Sequence, residues 1–252
     1  MKNKKFKISK ILTGVFVFIT VSLMLSLADL FSSLITVGGF TFTSDSINVS
    51  NYNLYSISLF SNNNKLVAEE QSESCKKQGG AGYVFMTDNN YNIIASIYES
   101  KADAENVKAN LINSKPNTNI LEIKIPNIII NCNLNTQEKE IINEAFTIFK
   151  TSYKKLYDIS VSLDTSIITE INAKFSINEL FSTANNVVNN FNTIYSNSNL
   201  TNFIELKIKL QDLCKTLNKL MNAESDFPYT SYIKNTYCEI VFLYKSLAES
   251  LA

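Results

Sequence analysis

The chain has no histidine, no arginine and no tryptophan; all 23 of its basic residues are lysine. Histidine is the usual general base near neutral pH and the commonest metal ligand. Arginine is the usual bidentate clamp for carboxylates and phosphates. Without them, most hydrolase, metalloenzyme and phosphoryl-transfer mechanisms are excluded, and only carboxylate chemistry is left. Cysteine is scarce: Cys75, Cys132, Cys214 and Cys238 show no paired metal-ligand spacing. Glycine is scarcer than usual, yet three of the six (Gly79, Gly80, Gly82) fall within four residues. Net charge is also missing, because 23 lysines balance 23 carboxylates. Five of the lysines precede the first apolar run, which leaves 18 against 23 carboxylates beyond it. A mildly negative surface disfavours nucleic acid as a partner, since phosphate binding needs clustered cations.

What is present begins with Lys2, Lys4, Lys5, Lys7 and Lys10, followed by an almost unbroken apolar run from Ile11 to Ala28. That run is long enough to cross a ~30 Å hydrocarbon core, and apolar character resumes through Val37. Lysines on the N-terminal side place that side in the cytoplasm and the rest of the chain outside. Ser26-Leu27-Ala28 has the small-x-small pattern of a signal-peptidase site, which leaves cleavage after Ala28 open. The run exceeds a usual signal core, so residues 1–37 are read as a tail and an uncleaved membrane anchor. Residues 38–51 are Thr/Ser-rich and read as a linker.

Tyr52–Phe60 alternates as a strand, Lys65–Lys77 has helical character, and Ala81–Met86 and Tyr91–Tyr98 flank a polar turn, Thr87-Asp88-Asn89-Asn90. Lys101–Asn113 reads as a helix with Ser100 as its cap, and Leu121–Ile125 alternates again. A glycine cluster invites a phosphate-loop reading, but such loops follow a strand and open a helix. Here the glycines follow a helix and lead into a strand, so they are expected to stop the helix with positive φ. The order β-α-β-β-α-β over residues 52–131 gives an α+β fold of ferredoxin-like, split βαβ type, with both helices on one face of a four-stranded sheet.

Residues 135–252 change to helical periods. A stripe from Ile141 to Leu156 marks a helix from Asn135 to about Ile168. Ser176-Ile177-Asn178-Glu179 reads as a capping box for a helix reaching Tyr195. Asn202 is placed as the cap of a third helix to Met221, and Asp226 with Pro228 opens a fourth. This implies an all-α bundle or a looser pair of helical hairpins. Two disulfides are geometrically reasonable in that layout, Cys214–Cys238 and Cys75–Cys132, with free buried thiols as the alternative.

The segment Tyr91-Asn92-Ile93-Ile94-Ala95-Ser96-Ile97-Tyr98, followed by Ala102-Asp103-Ala104-Glu105 and Leu111, resembles the SPOR domain, a peptidoglycan-binding module of exported bacterial proteins. Gly79–Phe85 ahead of it is similar to SPOR-like proteins of spore-forming Firmicutes. Ser56 and Ser58 stand where the family usually has Gln and Gly, and Ser96 where Gly is common. The resemblance implies a sheet face that binds peptidoglycan glycan strands, in sporulation or cell division, without catalysis. Alternation assigns Ser56, Ser58, Phe60, Tyr83, Phe85, Ser96 and Tyr98 to that face, and Ile57, Leu59, Ile93, Ile97, Leu121, Ile123 and Ile125 to the helix-covered face. Small hydroxyls between aromatic rings suit a saccharide. The rival use of the same face is packing against the C-terminal helices, which makes the protein a membrane-tethered adaptor that meets envelope proteins through those helices. No acid pair suggests a hydrolase, and no residue set calls for a metal or cofactor.

Overall fold

The computed structural model describes residues 40–43, 46–87, 89–111, 113, 115–131, 134–195, 200–223 and 226–252. The expected anchor therefore lies outside the described residues, as does Cys132. Among the described residues no helix is long and apolar enough to cross a membrane. Six helices and seven strands are described, and all strand pairings are antiparallel.

The split order is present. β3 (Tyr52–Asn62), α1 (Lys65–Lys77), β4 (Tyr83–Thr87), β5 (Asn90–Tyr98), α2 (Lys101–Leu111) and β6 (Asn119–Ile125) follow one another. The sheet order is β4-β5-β3-β6, so β3 lies between β5 and β6. Asn64 caps α1, its side chain accepting from the Leu66 N–H at 3.0 Å. The helix ends as its glycines require. Gly79 takes φ +84°, its N–H donates to the Lys76 carbonyl at 3.0 Å, and the Gly80 N–H donates to the Cys75 carbonyl at 3.0 Å. This is the paired 5→2 and 6→1 closure of a Schellman turn. The next residue enters the sheet, the Ala81 N–H donating to the Ala95 carbonyl at 2.8 Å. The glycines thus end a helix, and no phosphate loop forms there.

A second sheet was not expected. β1 (Phe40–Thr43) and β2 (Ser46–Val49) fall within the stretch read as a linker. With β7 (Ile128–Asn131) they form the order β1-β2-β7. Ile47 opposite Ile130, and Val49 opposite Ile128, are buried. Two apolar side chains at period two suffice to fold a Ser/Thr-rich segment as a strand when a partner strand waits.

α3 (Thr136–Asp164), α4 (Glu170–Tyr195), α5 (Thr201–Met221) and α6 (Tyr229–Leu251) make the bundle. Each packs on the next, and α6 returns to α3. A capping box opens α3: the Glu138 N–H donates to Asn135 at 3.0 Å, and the Glu138 carboxylate accepts from the Asn135 N–H at 2.8 Å. The box expected at Ser176 is not the start of α4. Thr169 takes that place, accepting from the Asn172 N–H at 3.3 Å, and Ser176 lies inside the helix. Nor does Asn202 cap α5, which begins at Thr201 after Leu200 with no side-chain cap.

Residues from Phe40 onward form one compact unit. Its principal core is continuous from the small sheet through one face of the large sheet into the bundle. α6 is the hub, with buried side chains at Ile233, Tyr237, Ile240, Val241, Tyr244 and Leu247. A helix apolar on most sides belongs in an interior, and this one lies between α3, α5 and both sheets.

Candidate functional site

The sheet face proposed for glycan is covered. α6 lies across β4, β5 and β6. The Phe242 ring stacks on Phe85 at 4.1 Å and 22° and on Tyr83 at 5.1 Å and 5°. The Ser96 hydroxyl is 2.6 Å from the Tyr237 hydroxyl, which also accepts from the Ile97 N–H at 3.4 Å. Tyr52 stacks on Tyr244 at 6.3 Å. The entry of α6 is tied down as well. Ser231 donates to the Lys76 carbonyl at 2.6 Å, Lys234 to the Gly79 carbonyl at 2.8 Å, and Asn235 to the Ala81 carbonyl at 3.0 Å. The loop of glycines is therefore a docking point for α6. Burial pushes the Tyr83 hydroxyl well above the usual tyrosine range.

The seven residues assigned to the groove do not share one open surface. Tyr83, Phe85 and Ser96 face α6. Ser56 is fully buried and donates to the Leu121 carbonyl at 3.2 Å, while Ser58, 2% exposed, donates to the Phe60 carbonyl at 3.1 Å. Phe60 packs on the opposite side with Ala68, Cys75 and Ile93, beneath α1. The reason is local: the β3–β5 register shifts between Ile57 and Ser58 and again between Ser58 and Phe60, and each β-bulge breaks strict alternation. Tyr98, the last residue of β5, stands at the margin of the cover.

The aliphatic assignments are corrected in the same way. Ile97, Leu121, Ile123 and Ile125 face the bundle and not the two sheet-side helices. β6 pairs Leu54 with Ile123 and Ser56 with Leu121, which puts those residues on the α6 side. Alternation reveals that one face is apolar. It does not reveal which of two helical layers that face meets.

The cysteines are also settled within the described residues. Cys214 and Cys238 are unbonded, as is Cys75. Cys238 is wholly buried, and Cys214 is half-buried on α5, where burial pushes its thiol up to about 11.

Where the cover ends, a cavity of about 250 Å³ opens. Leu54, Ile97 and Val241 form its floor, and Tyr98, Tyr153, Tyr157 and Tyr237 its walls. Tyr157 meets Tyr98 edge-on at 6.1 Å and 78°, and Tyr237 at 6.0 Å and 71°. Glu99, Asp103, Lys154 and Asp158 stand at the rim. Lys154 pairs with Glu99 at 3.0 Å, and Tyr153 donates to the same carboxylate at 3.3 Å. Burial raises the Asp158 carboxyl above its ordinary value, with Lys154 pulling it down and Glu99 pushing it up. Burial likewise raises the Tyr157 hydroxyl, helped by Tyr98 and by the Asp103, Asp158 and Glu99 charges. Among the described residues no group of three or more Cys, Asp or Glu is placed to hold a metal ion.

Of this cavity, sequence reasoning found only Tyr98. The other walls come from α3 and α6, far along the chain. The one local signal was Tyr153-Lys154 repeated four residues later as Tyr157-Asp158, which puts two rings and two charges on one side of α3. No family model, curated protein or solved structure matches the chain.

Proposed function

We propose that this is a non-enzymatic adaptor of the bacterial cell envelope, anchored by residues 11–37 with its bulk outside the cytoplasm. In it, a SPOR-like unit serves as an internal platform for a helical bundle. The sheet order β4-β5-β3-β6 with the element order βαββαβ supports the ferredoxin-like, SPOR-type reading of residues 52–131. One observation carries the adaptor reading over glycan binding: Phe242 and Tyr237 of α6 occupy the positions on Tyr83, Phe85 and Ser96 that a sugar would take. A saccharide and α6 cannot share those rings. Work is left to the outer surfaces, where Ile171 and Phe175 stand exposed one turn apart on α4 and Ile167 is exposed in the loop just before it. Such a stripe suits a protein partner in sporulation or division. Sedimentation of the detergent-solubilised full chain with purified peptidoglycan tests the reading, with the protein expected to stay in the supernatant. Wild-type retention that is lost in a folded Tyr83→Ala, Tyr98→Ala variant would restore the glycan groove and overturn the adaptor.

A further inference from the structure

The tyrosine cavity opens at the end of β5, beside Tyr237 of the covering helix, and its composition is specific. We propose that it binds a small organic ammonium ion, with Asp103 and Asp158 as counter-charges and the Tyr98 and Tyr157 rings against the cation's carbon atoms.

Charge decides the class of ligand. The rim has three carboxylates and one ammonium group, and Lys154 is already held by Glu99 at 3.0 Å. Among the described residues neither Asp103 nor Asp158 has a cationic partner within 4.0 Å. An anion would meet an excess of negative charge. A metal ion is disfavoured because the carboxylates do not converge and the walls are phenol rings. Rings with carboxylates beyond them are what an organic cation requires. The phenol rings give the cation's carbon atoms a wall to pack on, and the rim acids supply the counter-charge. At about 250 Å³ the space falls below the ~300–1,000 Å³ of drug-sized pockets, which limits the ligand to a few heavy atoms. The apolar floor of Leu54, Ile97 and Val241 adds a place for an alkyl segment.

Titration calorimetry of the full chain in detergent, with choline and 1,5-diaminopentane as probes and glucose as the neutral control, tests this. At least one ammonium probe should bind and glucose should not. Preference for choline assigns a quaternary head group, and preference for the diamine assigns a primary amine. Asp103 and Asp158 are solvent-accessible at the rim, so Asp103→Asn and Asp158→Asn should fold normally and each weaken binding by about three- to fivefold. Tyr157→Leu should weaken it further, with an unchanged far-UV spectrum as its control. The proposal is overturned if neither ammonium probe binds up to about 10 mM. It is also overturned if the Asn variants bind as wild type does, or if glucose binds in place of the cations.

Discussion

Removing the Phe242 ring should loosen the helix that covers the sheet. Phe242 is 9% exposed and stacked on two rings of β4. Truncating a buried phenylalanine costs ~3–5 kcal/mol, because transfer energy and the unfilled cavity add. Each lost ring pair accounts for ~0.5–1.5 kcal/mol of specific stacking within that figure. A domain of roughly 200 residues loses ~2–4 °C of Tm per kcal/mol, so Phe242→Ala should lower the melting midpoint by about 10 °C. Urea titration followed by far-UV circular dichroism gives the free energy, with Phe175→Ala, 64% exposed, as a control expected within ~0.5 kcal/mol of wild type. A double-mutant cycle with Tyr83→Ala isolates the contact and should return a coupling of about 1 kcal/mol. A Phe242→Ala loss below ~1 kcal/mol, or strict additivity with Tyr83→Ala, would refute the stacked arrangement.

Two further outcomes are expected. Gly82→Ala should cost well over 1 kcal/mol, since φ is +56° and a Cβ would lie 2.4 Å from the Ser72 carbonyl oxygen; Gly79→Ala, with φ +84° but only an ordinary contact with Thr230 Cγ2 at 3.9 Å, should cost about 1 kcal/mol, and equal midpoints in urea would contradict this ranking. The Cys214 thiol, pushed up to about 11 by burial, should be alkylated in the native state at pH 8 on the order of a hundredfold more slowly than an ordinary thiol. Because the thiolate is the reactive form, the rate should climb about tenfold per pH unit towards pH 11, and a plateau near pH 9 would contradict the raised value.

Local chemistry made much of the fold legible. The glycines that close α1, the alternation of β3 and β5 and the stripes of the bundle each state their own structure within a few residues. Segments whose structure depends on distant partners were not legible. Ile47 and Val49 read as a strand only once β7 is beside them. The start of α4 was placed at Ser176, but the helix begins at Glu170 behind Thr169, with Ala173 and Ile177 of the extra turns buried in the bundle. The sheet face was read correctly as aromatic and small at Tyr83, Phe85 and Ser96, but such a face suits a sugar and a helix equally well. The bulges in β3 and β5 left no mark in composition, so Phe60 was assigned to the wrong side. The tyrosine cavity draws on β3, β5, α2, α3 and α6, and no spacing along the chain announces it.

The closed sheet face can be probed by a single thiol. Ser96→Cys in the membrane-bound full chain, mapped by mass spectrometry after brief alkylation, compares that position with Met86→Cys, whose parent residue is 55% exposed on β4. With α6 seated on the sheet, Cys at position 96, half-buried beneath Tyr237, should react several-fold more slowly than Cys at position 86, which reacts freely. Equal, rapid labelling at 96 and 86 would mean that the face stands open, and the adaptor reading would give way to a surface available to glycan.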